Sequence, residues 1–122
     1  MTHPVIARRR AEQSERVDVA TEWAREIAKR LDVSAVIVFG STARGDFNKW
    51  SDIDVLVVAE SLPEGARRRL ELLMVDAPPG LQPVGWTRSE LEDRRSRRDP
   101  IAIECDTIGR VVLGALPGRL LG

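Results

Sequence analysis

The stretch Phe39-Gly40-Ser41-Thr42-Ala43-Arg44-Gly45-Asp46, followed by Ser51-Asp52-Ile53-Asp54-Val55-Leu56-Val57, decides how this chain reads. Just before it, Ala35-Val36-Ile37-Val38-Phe39 is a continuous apolar run rich in β-branched residues, which predicts a strand buried on both faces. Ile53 to Ala59 is a second strand of the same kind. Gly40 stops the first run and permits a tight turn whose backbone N–H groups face outward. Ser41 is expected to cap the short helical turn that follows, which would join a hydroxyl to the positive end of a helix. Phosphate favours such an arrangement. Gly45 ends the turn.

Asp52 and Asp54 lie two apart at the mouth of a strand, so they point to the same side of the sheet. Side by side they repel each other unless a cation or a proton intervenes. Magnesium is the natural cation, because it prefers hard oxygen ligands and is readily shared with a phosphate. A pair of such metals can clamp the attacking and leaving oxygens of a phosphoryl displacement. An Asp-x-Asp alone is usually a solvated strand end, and a lone Gly-Ser says less still. Their order, the ten residues between Ser41 and Asp52, and the buried strand on each side point to nucleotide chemistry.

Outward from this stretch, helices alternate with three or four strands. Val17, Ala20, Ala24, Ile27, Ala28 and Leu31 recur at helical spacing, predicting a helix that ends near Leu31-Asp32. Trp23 adjoins the stripe as packing. Residues 1–12 carry few apolar groups and are expected to fray. Leu62-Pro63-Glu64 is expected to open a helix running through Met74. Asp76-Ala77-Pro78-Pro79-Gly80 is a loop. Leu81 to Thr87 reads as a short strand whose Pro83 argues for an edge or a bulge. Thr87-Arg88-Ser89-Glu90 has the spacing of a capping box. Asp99-Pro100 starts a further short helix that Gly109 ends. Arg110-Val111-Val112-Leu113 completes the pattern as a last strand.

With 122 residues the chain is expected to form a single domain, 1–122, of α/β or α+β class. It is 43% hydrophobic and 31% charged, and nineteen basic side chains balance nineteen acidic ones. That balance excludes a generic polyanion binder. The single Cys105 excludes an intrachain disulfide and a multi-thiol zinc site, so a reducing cytoplasm is the expected location. No apolar run has the length of a membrane span, and Arg8-Arg9-Arg10 is not followed by the apolar stretch of a signal peptide.

Gly-Ser, ten residues, then Asp-x-Asp resembles the signature of the DNA polymerase beta-like nucleotidyltransferase superfamily. The fuller string Phe39 to Asp46 with Ser51 to Val57 is similar to its minimal nucleotidyltransferase branch in prokaryotes. The resemblance implies a nucleotidyltransferase fold with a small mixed sheet of three to four strands packed against helices. It implies that Gly40 and Ser41 contact the triphosphate of a nucleotide, and that Asp52 and Asp54 are the catalytic ligands of Mg2+. Arg44 falls in the motif as a phosphate contact, with a salt bridge to Asp46 as the equal alternative. Ser51 would orient the loop before the aspartates. Trp50 could stack on a base, although anchoring the loop is the favoured role.

The implied reaction moves AMP from ATP to an acceptor hydroxyl. The implied partner is a separate HEPN-domain toxin, with this chain as its antitoxin. In one respect the chain departs from the pattern. The superfamily usually supplies a third carboxylate from the neighbouring strand, and the aligned position here is Gln82, which carries no charge and cannot act as a base. Glu60, Asp76 and Glu104 are the alternative acids. The rival reading is therefore a degenerate binding module of the same fold. A third reading, a P-loop or dinucleotide-binding fold, is weak because neither glycine motif occurs. The clusters Arg67-Arg68-Arg69 and Arg94-Arg95-Arg97-Arg98 read as solvated helix faces paired with nearby acids, in preference to a nucleic-acid surface.

Overall fold

A computed structural model of the chain describes residues 3–119. Its elements are α1 (Pro4–Ala28), β1 (Val33–Phe39), α2 (Gly40–Arg44), β2 (Ile53–Ala59), α3 (Ala66–Leu73), β3 (Leu81–Trp86), α4 (Arg88–Ser96), α5 (Pro100–Thr107) and β4 (Arg110–Gly114). The strands form one mixed sheet in the order β3-β2-β1-β4, with β1 antiparallel to both β2 and β4 and β2 parallel to β3.

The two long apolar runs take the centre of this sheet because every side chain on both faces must be covered. Val36, Val38, Val55 and Val57 pack on one face against Ala20, Trp23, Ala24 and Ile27 of α1 and Leu73 of α3. Ala35, Ile37, Leu56 and Val58 pack on the other against Leu91 of α4 and Ala102 and Cys105 of α5. Each fully buried Ile or Leu in these layers stabilises the fold by roughly 1.5–3 kcal/mol relative to exposure. Burial also pushes the Cys105 thiol up to about 12, with the charges of Asp106 and Glu104 adding to it. Cys105 is thus a small core side chain rather than a reactive one.

β3 lies at the sheet edge, where Pro83 removes no hydrogen bond that a neighbour needs. The capping box at α4 is present, with Glu90 Oε1 accepting from the Thr87 N–H at 2.8 Å. Asp99 caps α5 ahead of Pro100. Arg69 donates to the Pro63 carbonyl at 2.7 Å and the Gly85 carbonyl at 3.1 Å, and it pairs with Glu90, tying α3, β3 and α4 together. Burial pushes the Glu90 carboxyl up, but its hydrogen bonds from Arg69 and Thr87 outweigh this and hold it below the ordinary value. Four more arginines of the two clusters follow the same pattern: Arg67 meets Glu71, Arg94 meets Asp99, Arg95 meets Asp106 and Arg97 meets Asp93, whereas Arg68 and Arg98 meet no acid among the described residues. These are solvated, acid-paired helix faces.

Two boundaries differ from expectation. α3 starts at Ala66 instead of near Pro63, because Gly65 takes a φ of 88° that breaks helical continuity. α1 begins at Pro4 and is helical through the described part of residues 1–12, the segment expected to fray. Met1 and Thr2 lie outside the described residues. Tertiary contacts explain the extension: Arg9, Gln13 and Arg16 each bind backbone carbonyls of the α2–β2 region. Among the described residues no helix is long and apolar enough to cross a membrane.

Candidate active site

Asp54 sits in the middle of the sheet edge-on to two neighbours, opposite Phe39 of β1 on one side and Gln82 of β3 on the other. By strand alternation its side chain shares the face of Leu56 and Val58, which is the face covered by α4 and α5. Asp52 precedes it by two, just ahead of β2, and its charge acts on Asp54. Gly40 has a φ of 69°, and a Cβ built there would lie 2.3 Å from Asp54 Oδ2. Glycine is therefore required twice over, by conformation and by the carboxylate resting against its Cα. The turn after β1 and the Asp-x-Asp pair are thereby in direct contact.

Ser41 does not cap α2, contrary to expectation. The N-cap is Phe39, which offers no side-chain hydrogen bond, and Ser41 lies inside the first turn. The glycine before it has already turned the chain, so the serine falls one position too late to cap. Among the described residues its hydroxyl makes no hydrogen bond to protein, which leaves it available to a ligand beside the open N–H groups of this turn. Thr42, next to it, is fully buried and accepts from Arg16 Nε at 3.1 Å. Gly45 closes α2 in the left-handed conformation, donating to the Ser41 carbonyl at 2.8 Å.

The loop from Gly45 to Asp52 is held from behind by α1. Arg9 donates to the Gly45 carbonyl at 2.9 Å and to the Phe47 carbonyl, and Gln13 donates to the Thr42 carbonyl at 2.8 Å. Arg16 reaches the carbonyls of Ser51 and Asp52. Both arginines also lie over the Phe47 ring, 4.2 and 4.7 Å from its centroid. Phe47, only 4% exposed, is the aromatic that anchors the loop. Trp50 is 81% exposed, which overturns its favoured role as the anchor. Ser51 orients the loop as expected, its Oγ accepting from the Asn48 N–H at 3.0 Å.

Sequence reading missed this clamp although a signal existed. Positions 9, 13, 16, 20, 24 and 27 form one helical stripe that is polar in its first half and apolar in its second. The apolar half meets the sheet. The polar half passes a loop that presents carbonyls.

Desolvation raises the Asp54 carboxyl above the ordinary aspartate range, with the charges of Asp52 and then Glu104 adding to the effect and Arg44 opposing it. Asp54 thus lies within electrostatic range of a third acid and of one cation. Of the three alternative acids, Glu104 of α5 is the one that reaches this region, through a salt bridge to Arg44. Glu60 lies past the far end of β2, accepting from the Arg88 N–H at 3.2 Å. Asp76 lines a groove with Trp23 and Lys29 beside the C-terminal half of α1. Arg44 makes the expected bridge to Asp46 at 3.2 Å as well.

Among the described residues no three His, Cys, Asp or Glu side chains converge as a metal cage. The Asp52–Asp54 pair nonetheless fits Mg2+, which is commonly held by one or two carboxylates, waters and substrate phosphates together.

Comparison with known proteins agrees with this fold. The family model of the nucleotidyltransferase domain matches residues 21–105. A Methanocaldococcus jannaschii protein provisionally named a protein adenylyltransferase is 37% identical over 49 residues, covering 38% of this chain and 50% of that relative. The match thus spans about half the length of the curated relative. A solved structure from Sulfolobus solfataricus, provisionally named a nucleotidyltransferase, superposes with a TM-score of 0.66 at 21% identity over 93% of both chains. A toxin–antitoxin structure with AMP-PNP contains a chain that superposes with a TM-score of 0.54 at 18% identity, covering 78% of this chain and 73% of that one. The chain belongs to the nucleotidyltransferase domain family.

Proposed function

We propose that the protein is a magnesium-dependent nucleotidyltransferase that binds ATP and transfers AMP to an acceptor hydroxyl, releasing pyrophosphate. The observation that carries this reading is the contact between the Gly40 turn and the Asp54 carboxylate, 2.3 Å from where a Cβ would stand. It sets the first turn of α2 against the Asp54 carboxylate, which supports reading the turn as the phosphate cradle and the Asp52–Asp54 pair as the metal ligands. Gly40 and Ser41 would take the triphosphate, Arg44 would pair with one of its phosphates, and Asp52 and Asp54 would hold Mg2+. The metal, when bound, would supply charge neutralisation at the phosphates.

In the reaction the acceptor oxygen bonds to the α-phosphorus as the bond to the bridging oxygen of pyrophosphate breaks. The acceptor's proton must leave, and Gln82 beside Asp54 cannot take it. By the resemblance, the acceptor is a hydroxyl of a HEPN-domain toxin that this chain neutralises. The relative named for protein adenylylation and the toxin–antitoxin neighbour support that choice.

Gln82 also favours a second reading, a degenerate module of the same fold that neutralises its partner by contact. Titrating ATP by calorimetry with and without magnesium tests the shared part of both. Binding should depend on magnesium and be lost in Asp52→Ala, and equal affinity in the two buffers would remove the metal assignment. Transfer of labelled AMP then separates the enzyme from the module.

A further inference from the structure

We propose that Glu104 of α5 is a positioning residue for Arg44, holding its guanidinium ready for a phosphate of the bound nucleotide. The inference rests on the triphosphate-binding reading and adds to it a residue outside the signature. Arg44 is the last residue of α2, at the end of the turn that Gly40 opens. Its Nε donates to Asp46 Oδ2 at 3.2 Å and its Nη1 donates to Glu104 Oε1. The two acceptors come from different elements, the loop after α2 and a helix sixty residues away in sequence.

Glu104 is itself fixed by the fold. Its helix is capped by Asp99 and packs on the sheet through fully buried Ala102 and Cys105 on either side of it. A long, half-exposed arginine would ordinarily sample many rotamers, at an entropic cost when a ligand arrives. Bridging two carboxylates, one of them on the packed helix α5, removes much of that freedom beforehand. Nη2 makes no hydrogen bond to protein among the described residues, so donors remain for an incoming anion.

Charge alone predicts the opposite of positioning, which makes the idea testable. Glu104 adds negative charge near Asp54, and removing it would by Coulomb attraction favour an anionic ligand. That effect is small across an exposed, high-dielectric surface. If positioning dominates, Glu104→Gln weakens magnesium-dependent ATP binding by roughly three- to tenfold, the usual size of coupling between residues in one network. Glu104→Asp, which keeps the charge, should recover part of the loss. Arg44→Lys, which keeps its charge but lacks the fork that spans both carboxylates, should lose as much.

The decisive measurement is calorimetry of ATP with magnesium in four proteins: wild type, Glu104→Gln, Arg44→Ala and the double variant. The expected result is that Glu104→Gln has no further effect once Arg44 is gone. Tighter or unchanged binding in Glu104→Gln overturns the proposal, and so does a loss that persists in the Arg44→Ala background. Titrating the nucleotide-free proteins with Mn2+ identifies the other role: weaker Mn2+ binding in Glu104→Gln, with or without Arg44, would make Glu104 a metal ligand. A wild type that takes up no ATP overturns the triphosphate reading as well, whereas ATP binding indifferent to Glu104 overturns this inference alone.

Discussion

The two strands flanking Asp54 are equipped for different tasks. On the β1 side, the turn at Gly40 lies against the carboxylate, and the polar half of α1 fixes the loop that follows. On the β3 side, the directly paired residue is Gln82, on an edge strand interrupted by Pro83. On the proposed reading the first wall would hold the metal–triphosphate, while the second lacks the charge that activating an acceptor requires. Binding and turnover would then depend on separate strands, and one side chain on β3 would alter turnover without touching binding.

The binding wall is the more sensitive to change, and Gly40→Ala should show this most strongly. A Cβ there meets a strained φ and displaces the Asp54 carboxylate. The expected loss of stability is about 2–4 kcal/mol, adding left-handed strain to the shift of a packed neighbour. Chemical denaturation measures it. A fall below 1 kcal/mol would show that the turn relaxes easily and that the contact with Asp54 is incidental.

Arg16→Ala should come next. Its guanidinium serves two loop carbonyls, the Thr42 hydroxyl and the Phe47 ring. Losing these should cost about 2 kcal/mol, on the scale of charge-assisted hydrogen bonds to partly buried acceptors. Arg8→Ala, whose side chain is largely exposed and among the described residues pairs only with Glu12 at 3.9 Å, should stay within about 0.5 kcal/mol of wild type. Equal effects of the two would break the assignment of the polar stripe as a clamp.

The same contrast explains what the sequence made legible. Strands that need cover on both faces announce themselves as apolar runs, so β1 and β2 could be read in advance, while the place of Gln82 beside Asp54 came from the family resemblance. The edge position of β3 followed from Pro83. Residues that act through backbone carbonyls leave a fainter mark, here only the polar continuation of an apolar stripe. Arg9, Gln13 and Arg16 look like solvent-facing positions until the loop they bind is in place. Glu104 could be named as one of three alternative acids. Choosing it required the packing of α5 on the sheet, which brings together residues sixty positions apart.

Gln82→Glu sharpens the comparison from the other wall. If β3 lacks only a base, restoring a carboxylate should raise transfer of labelled AMP to the partner or a surrogate acceptor by about tenfold or more. ATP affinity should change much less. A wild type that already transfers rapidly, with no gain in the variant, would mean that another group takes the acceptor's proton.

The smallest expected effect is the pH response of Asp54→Asn, which asks whether the free site is held under electrostatic stress. Desolvation first, then the charges of Asp52 and Glu104, raise the folded-state carboxyl above its unfolded value of 3.8. The folded protein therefore binds this proton more tightly than the unfolded chain does. Below the unfolded value both states are protonated and Asp54 costs nothing. As pH rises through the interval up to the raised value, the unfolded chain ionises first and stability falls. In metal-free buffer Asp54→Asn should thus melt a few degrees above wild type at pH 7, and the gain should shrink toward zero near pH 3. Adding magnesium should stabilise wild type and leave the variant unmoved, because the cation relieves a repulsion that only the ionised pair contains. A variant less stable than wild type at pH 7 without metal would show that Asp54 has a structural role in the sheet that outweighs the repulsion, and the stress on the binding wall would have to be sought at Asp52.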